Sequence, residues 1–153
     1  MVARLPSGIL DHRAASQGLT LENRAAPDLP PLLADPVRLK QILLNLCGNA
    51  IKFTPPGGSI VISTGFDDGA VSVSIADTGI GMLPADVPRA LEPFGQLENS
   101  LSRRAGGTGL GLPIAKALTE LHGGTLGFQT AQGRGTVATV RFPAARSLAP
   151  LET

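Results

Sequence analysis

Between Asp35 and Phe53 the apolar positions recur with helical spacing. At about 100° per residue, Leu39, Ile42, Leu43, Leu46, Ala50 and Phe53 gather on one face, and Arg38, Gln41, Asn45, Asn49 and Lys52 line a narrow arc beside it. Asp35 suits the N-cap and Pro36 the first helical position, and Pro55-Pro56-Gly57-Gly58 stops the helix at about Phe53. The period then shortens to two. Ser59 to Thr64 and Ala70 to Ala76 read as strands joined by the Asp67-Asp68-Gly69 turn, with Val71, Val73 and Ile75 facing a core and Ser72 and Ser74 facing away. A short helix is expected near Pro84 to Leu91, and a second long one from about Leu110 to Leu121, ended by Gly123-Gly124. Strands Thr125 to Thr130 and Thr136 to Phe142 flank the Gly133-Arg134-Gly135 turn. Upstream, Ile9 to Ser16 reads as a helical turn, Leu19 to Glu22 as an edge strand and Pro27 to Pro31 as a stiff loop. Gly95 to Gly107 has few apolar anchors beyond Leu97 and Leu101, which suits a mobile surface flap, and Ala144 to Thr153 reads as a frayed tail.

Composition narrows the classes. A chain of 153 residues with 42% apolar content suits one compact domain. Thirteen basic and twelve acidic side chains without runs leave no basic stripe for nucleic acid and no polybasic membrane patch. The absence of Trp and Tyr also removes the usual base-stacking platforms. Cys47 is the single cysteine, so neither a disulfide framework nor a cysteine zinc site is available, and a packed reduced thiol is expected. No apolar run approaches the ~18 residues of a membrane span, and no secretory h-region opens the chain. These features suggest a reduced, cytoplasmic module without membrane contact.

Candidate chemistry lies in three places. Asn45 and Asn49, mediocre helix formers in line with Lys52, offer amide oxygens for a hard cation and a positive charge for an anion. Taken alone, such a stripe fits a solvated surface better than a site. In Asp77-Thr78-Gly79-Ile80-Gly81-Met82 a carboxylate ends a buried strand, and the glycines allow close approach of a ligand to the backbone. A turn begun by Asp is the commoner explanation of such a motif. In Gly106-Gly107-Thr108-Gly109-Leu110-Gly111-Leu112 the glycines open onto a helix, whose free N–H groups suit phosphates. It is neither the dinucleotide fingerprint, because Leu112 stands at its third glycine position, nor a P-loop, because no lysine follows a glycine.

Taken together and in order, Asn45 to Asn49 with Lys52-Phe53, Asp77-Thr78-Gly79-Ile80-Gly81, Glu92-Pro93-Phe94-Gly95-Gln96 and Gly107-Thr108-Gly109-Leu110-Gly111-Leu112 closely resemble the N, G1, F and G2 boxes of sensor histidine kinases. Gly133-Arg134-Gly135-Thr136 resembles the closing strand motif of the same ATP-binding domain. The resemblance spans roughly Leu19 to Phe142. It implies an α+β fold, the two-layer α/β sandwich called the Bergerat fold, with a mixed sheet, helices on one face and a flexible ATP lid. That fold is shared by histidine kinases, the chaperone Hsp90, type II topoisomerases and MutL.

The same resemblance implies roles. Asn49 would bind the Mg2+ that bridges the phosphates of ATP, Asn45 would lie close to those phosphates, and Lys52 would pair with their oxygens. Phe53 would line the nucleotide pocket. Asp77 would accept the adenine amino group with support from Thr136 through water, and Gly79 and Gly81 would shape the adenine wall. Gly107, Thr108, Gly109, Leu110 and Gly111 would meet the triphosphate at the helix start, and Phe94 would anchor the lid, with Gln96, Arg103 and Arg104 as weaker lid candidates.

Asn45 also separates subfamilies. Clamp ATPases and the related serine kinases carry a glutamate there, which can serve as general base. An amide cannot take a proton near pH 7, whereas the imidazole attacked in a histidine kinase is itself a nucleophile. The expected function is therefore the catalytic half of a sensor histidine kinase, supplying the γ-phosphate to a histidine on a separate dimerisation domain, with a response regulator receiver domain downstream. Only thirty-four residues precede Asp35, too few for the dimerisation hairpin, and His12 is followed by Arg13 rather than an acidic residue. His122 reads as a partner of a helix C-terminal dipole. The expected layout is a lead-in over 1–18 from the dimerisation linker, an ATP-binding domain over 19–143 and a flexible tail over 144–153. A nucleotide sensor acting by protein interaction and a serine kinase or clamp ATPase of the same fold are the alternatives.

Overall fold

The computed structural model describes residues 13–24, 34–92 and 111–143. The order of elements is β1 (Thr20–Arg24), α1 (Pro36–Phe53), β2 (Ser59–Asp67), β3 (Ala70–Asp77), a 3-10 turn (Pro84–Asp86), α2 (Val87–Ala90), α3 (Gly111–Leu121), β4 (Thr125–Thr130) and β5 (Thr136–Phe142). The strands form one sheet in the order β1-β2-β3-β5-β4. β1 runs parallel to β2 and all other neighbours are antiparallel, so the sheet is mixed. A parallel pair needs a crossover connection, and α1 lies within it.

Local chemistry explains the boundaries of α1. The Asp35 carboxylate accepts from the N–H groups of Val37 and Arg38 at 3.0 and 3.4 Å, a cap worth about 1 kcal/mol. At the other end the Thr54 hydroxyl donates to Ala50 O at 2.7 Å, and Pro55 follows. Leu39, Ile42, Leu43, Leu46 and Ala50 are buried as expected, and Cys47 and Ile51 widen the buried face. Phe53 is only half-buried, because the helix ends at the rim of the sheet rather than over it.

The strands alternate as the pattern predicts. Ile60, Ile62, Val73, Ile75, Ala138, Val140 and Phe142 are buried against the helices, and Ser72, Ser74 and Thr139 lie on the other face. Full burial of a side chain such as Ile42 or Phe142 contributes roughly 1.5–3 kcal/mol. The core also takes in Ala14, from the helical turn ahead of β1. β2 continues through Asp67 instead of stopping at Thr64. The hairpin turn is the two-residue Asp68-Gly69 pair, both at positive φ, which lets Asp67 pair with Ala70. The short helix expected near Pro84 to Leu91 divides into the 3-10 turn and a single α-turn, with Pro88 withholding a donor inside it.

His122 differs from a simple dipole partner. It is buried, its Nε2 accepts from Asp35 N–H at 3.2 Å, and its Nδ1 lies 2.8 Å from Leu118 O. An acceptor at Nε2 places the ring proton on Nδ1, so the side chain ties the end of α3 to the start of α1 through hydrogen bonds rather than through charge. No helix among the described residues is long and apolar enough to cross a membrane.

Candidate nucleotide site

Asp77 is the last residue of the central strand β3 and pairs in register with Thr136 of β5. Its Oδ1 accepts from Gly79 N–H at 2.9 Å and from Thr136 N–H at 3.2 Å. Among the described residues Oδ2 has no partner. Burial pushes the carboxyl pKa up, and the two N–H bonds pull against that rise. A desolvated carboxylate with one satisfied oxygen and one open oxygen is suited to accept from an amino group. A shallow cleft of about 290 Å³ opens beside Asp77, Thr130 and Thr136.

The segment after Asp77 is clamped from both sides. Ile80 N–H donates to Phe53 O at 3.1 Å, and Gly133 N–H donates to Ile80 O at 2.6 Å. The two glycines serve this clamp. A Cβ at Gly79 would overlap the Phe53 carbonyl oxygen, and one at Gly81, where φ is +65°, would overlap the Ala131 carbonyl oxygen. Sequence reasoning gave these positions to close approach by a ligand. The close approach observed is by protein backbone, which fixes the loop that forms the wall.

On α1, Asn45, Asn49 and Lys52 are half-buried and share the predicted arc, whereas Arg38 and Gln41 are exposed. The Asn45 side-chain nitrogen is buried and has no hydrogen-bond partner among the described residues. Such a group is costly unless something fills the position. The Lys52 ammonium lies 5.0 Å from the centroid of the Phe53 ring, and burial lowers its pKa. An anion beside it would relieve that desolvation. Among the described residues no group of three or more His, Cys, Asp and Glu could hold a metal. A divalent ion at Asn49 would therefore take most of its ligands from the phosphates of a nucleotide and from water, the usual habit of magnesium. One amide oxygen beside an orphaned amide donor and a desolvated lysine fits that requirement.

Gly111 opens α3 as described, whereas Gly107, Thr108, Gly109, Leu110 and Phe94 lie outside the described residues. So do the expected flap, with Gln96, Arg103 and Arg104, and His12, the loop at 27–31 and the tail. Sequence reasoning missed Thr130. Its hydroxyl accepts from Met82 N–H at 2.8 Å and lies 2.8 Å from the Thr136 hydroxyl. A threonine ending one hairpin strand directly opposite the expected Thr136 was the available signal.

The chain matches the family model for histidine kinase-, DNA gyrase B- and HSP90-like ATPases over residues 34–146. The chain belongs to that family. Within it, a sensor-like histidine kinase of Rhizobium meliloti is 39% identical over 135 residues, covering 88% of this chain and 26% of the relative. The cell-division control histidine kinase PdhS of Brucella anthropi is 37% identical over 151 residues, covering 92% of this chain and 14% of the relative. The crystal structure of full-length ShkA in complex with AMPPNP superposes with a TM-score of 0.75 at 33% identity, covering 94% of this chain and 31% of that one. The fold is thus the α+β sandwich of histidine kinase catalytic domains. The chain spans about a quarter or less of the curated relatives it matches.

Proposed function

We propose that this chain is the ATP-binding catalytic domain of a sensor histidine kinase, and that it delivers the γ-phosphate of ATP to a histidine on a separate dimerisation domain. The observation that carries the reading is Asp77, whose Oδ1 is filled by two backbone N–H groups while Oδ2 stays open to the cleft. The adenine amino group would bond Oδ2, Phe53 would border the pocket, and Thr136 would supply the neighbouring polar contact. Lys52 and the Asn45 amide would meet the phosphates, with the glycine-bearing start of α3 opposite them. Asn49 would hold magnesium, which when bound neutralises charge on the phosphates.

The reaction breaks the bond between the γ-phosphorus and its bridging oxygen and forms a phosphorus–nitrogen bond to an imidazole, leaving ADP. The role of this domain is positioning and charge stabilisation. Asn45 stands where a base would be needed to activate water, so hydrolysis has no general base at that position. The ATP-binding unit is proposed to cover residues 19–143, with Ala14 of the lead-in drawn into its core. The partners proposed are the histidine-bearing hairpin and, downstream, a response regulator receiver domain. The segment is assigned to the cytoplasmic side, where ATP is found.

The test combines this chain, the phosphoacceptor hairpin encoded with it, magnesium and γ-labelled ATP. The expected result is acid-labile, base-stable phosphate on the hairpin and little hydrolysis by the domain alone. ATP binding without transfer would favour a nucleotide sensor, and brisk turnover by the isolated domain would favour a clamp ATPase.

A further inference from the structure

Thr130 ends β4 directly opposite Thr136 in the β4–β5 hairpin, and both are half-buried beside Asp77. A hydroxyl has one proton and two acceptor sites. At Thr130 one acceptor site is occupied, because Met82 N–H can only donate and lies 2.8 Å away. Its proton then has three oxygens within reach: Thr136 Oγ1 at 2.8 Å, Gly135 O at 3.2 Å and Met82 O at 3.5 Å. The shortest of these matches the preferred O–H···O separation. With Thr136 Oγ1 as acceptor, the proton of Thr136 must point elsewhere, and no other described group accepts it.

We propose that Thr130 is a positioning residue for base recognition, its hydroxyl directing the Thr136 proton into the cleft beside the open oxygen of Asp77. The wall then presents an acceptor next to a donor. That pair complements a base with an amino group beside an unprotonated ring nitrogen, met directly or through one water, and opposes a base with a carbonyl beside an N–H. Thr130 touches no ligand in this scheme. It acts through Thr136, and its bond to Met82 holds the loop that carries Gly79 and Gly81 in the same register.

The inference rests on the nucleotide-binding reading, and the two fail differently. Competition against a fluorescent ATP analogue gives affinities of ATP and inosine triphosphate for the wild type, Thr130→Val and Thr130→Ser. Thr130→Val should reduce the ATP-to-inosine preference by about tenfold, the worth of one hydrogen bond, and Thr130→Ser should restore it. A merely structural role would weaken both nucleotides together and leave the ratio unmoved, which would overturn the proposal. A wild type that binds no ATP would sink the nucleotide reading along with it. Should Thr130→Val fail to fold, hydroxyl-proton NMR of the wild type decides. A slowly exchanging Thr136 hydroxyl that appears only with ATP supports the relay, and its absence in the ATP complex overturns it.

Discussion

The backbone N–H of Thr136 donates to Asp77 Oδ1 at 3.2 Å across the β3–β5 pair, where the two residues are Cα partners. Strand pairing therefore sets the orientation of a carboxylate that would otherwise rotate at the end of its strand. Gly79 N–H fixes the same oxygen from the loop side. The other oxygen keeps its full capacity to accept, in surroundings that penalise its charge.

Asp77→Asn separates binding from folding. An asparagine oxygen can still accept from Gly79 and Thr136, but its amide nitrogen then meets an adenine amino group donor to donor. ATP-Mg affinity should fall about tenfold to hundredfold, while the ligand-free melting temperature stays level or rises because a desolvated charge is gone. Calorimetry and thermal melts check both, and a marked drop in ligand-free stability would make Asp77 a structural residue.

Acidification should act on two properties in opposite directions. The folded-state pKa of Asp77 is raised by burial, so its ionised form disfavours folding. That penalty is complete above the folded pKa and disappears as pH falls through it toward the unfolded value. Base recognition needs the ionised form. Affinity for ATP should therefore decline with a midpoint above the ~3.9 of an ordinary aspartate, while the contribution of Asp77 to ligand-free stability improves over the same window. Binding curves and urea melts at successive pH values, compared with Asp77→Asn, isolate this group. An identical pH response in the variant would assign the effect elsewhere.

Gly81→Ala should cost about 1–3 kcal/mol, because the residue sits at φ +65° with the Ala131 carbonyl where its Cβ would go. Gly127→Ala is the control. A Cβ there meets nothing within 4 Å, so the change should stay within about 0.5 kcal/mol. Urea denaturation measures both, and equal effects would argue against the backbone clamp.

Periodicity and punctuation determined much of this protein by themselves. Asp35, Pro36 and Pro55 bound α1 through local capping and steric rules that need no tertiary partner, and the alternation in β3 assigned its buried face. The order of Asn49, Asp77 and Gly111 along the chain was enough to indicate the family, because each residue type is demanded by ligand chemistry. Tertiary structure decided what depends on contacts between distant segments. The purpose of Gly79 and Gly81 changed once the carbonyls of Phe53 and Ala131 were found against them. His122 became a tie to Asp35, 87 positions away. Thr130 gained a role only when hairpin register set its hydroxyl between Met82 and Thr136. Local signals report the energy of a residue with its immediate neighbours, whereas hydrogen-bond partners and steric overlap across the sheet depend on register and packing, which only the assembled fold supplies.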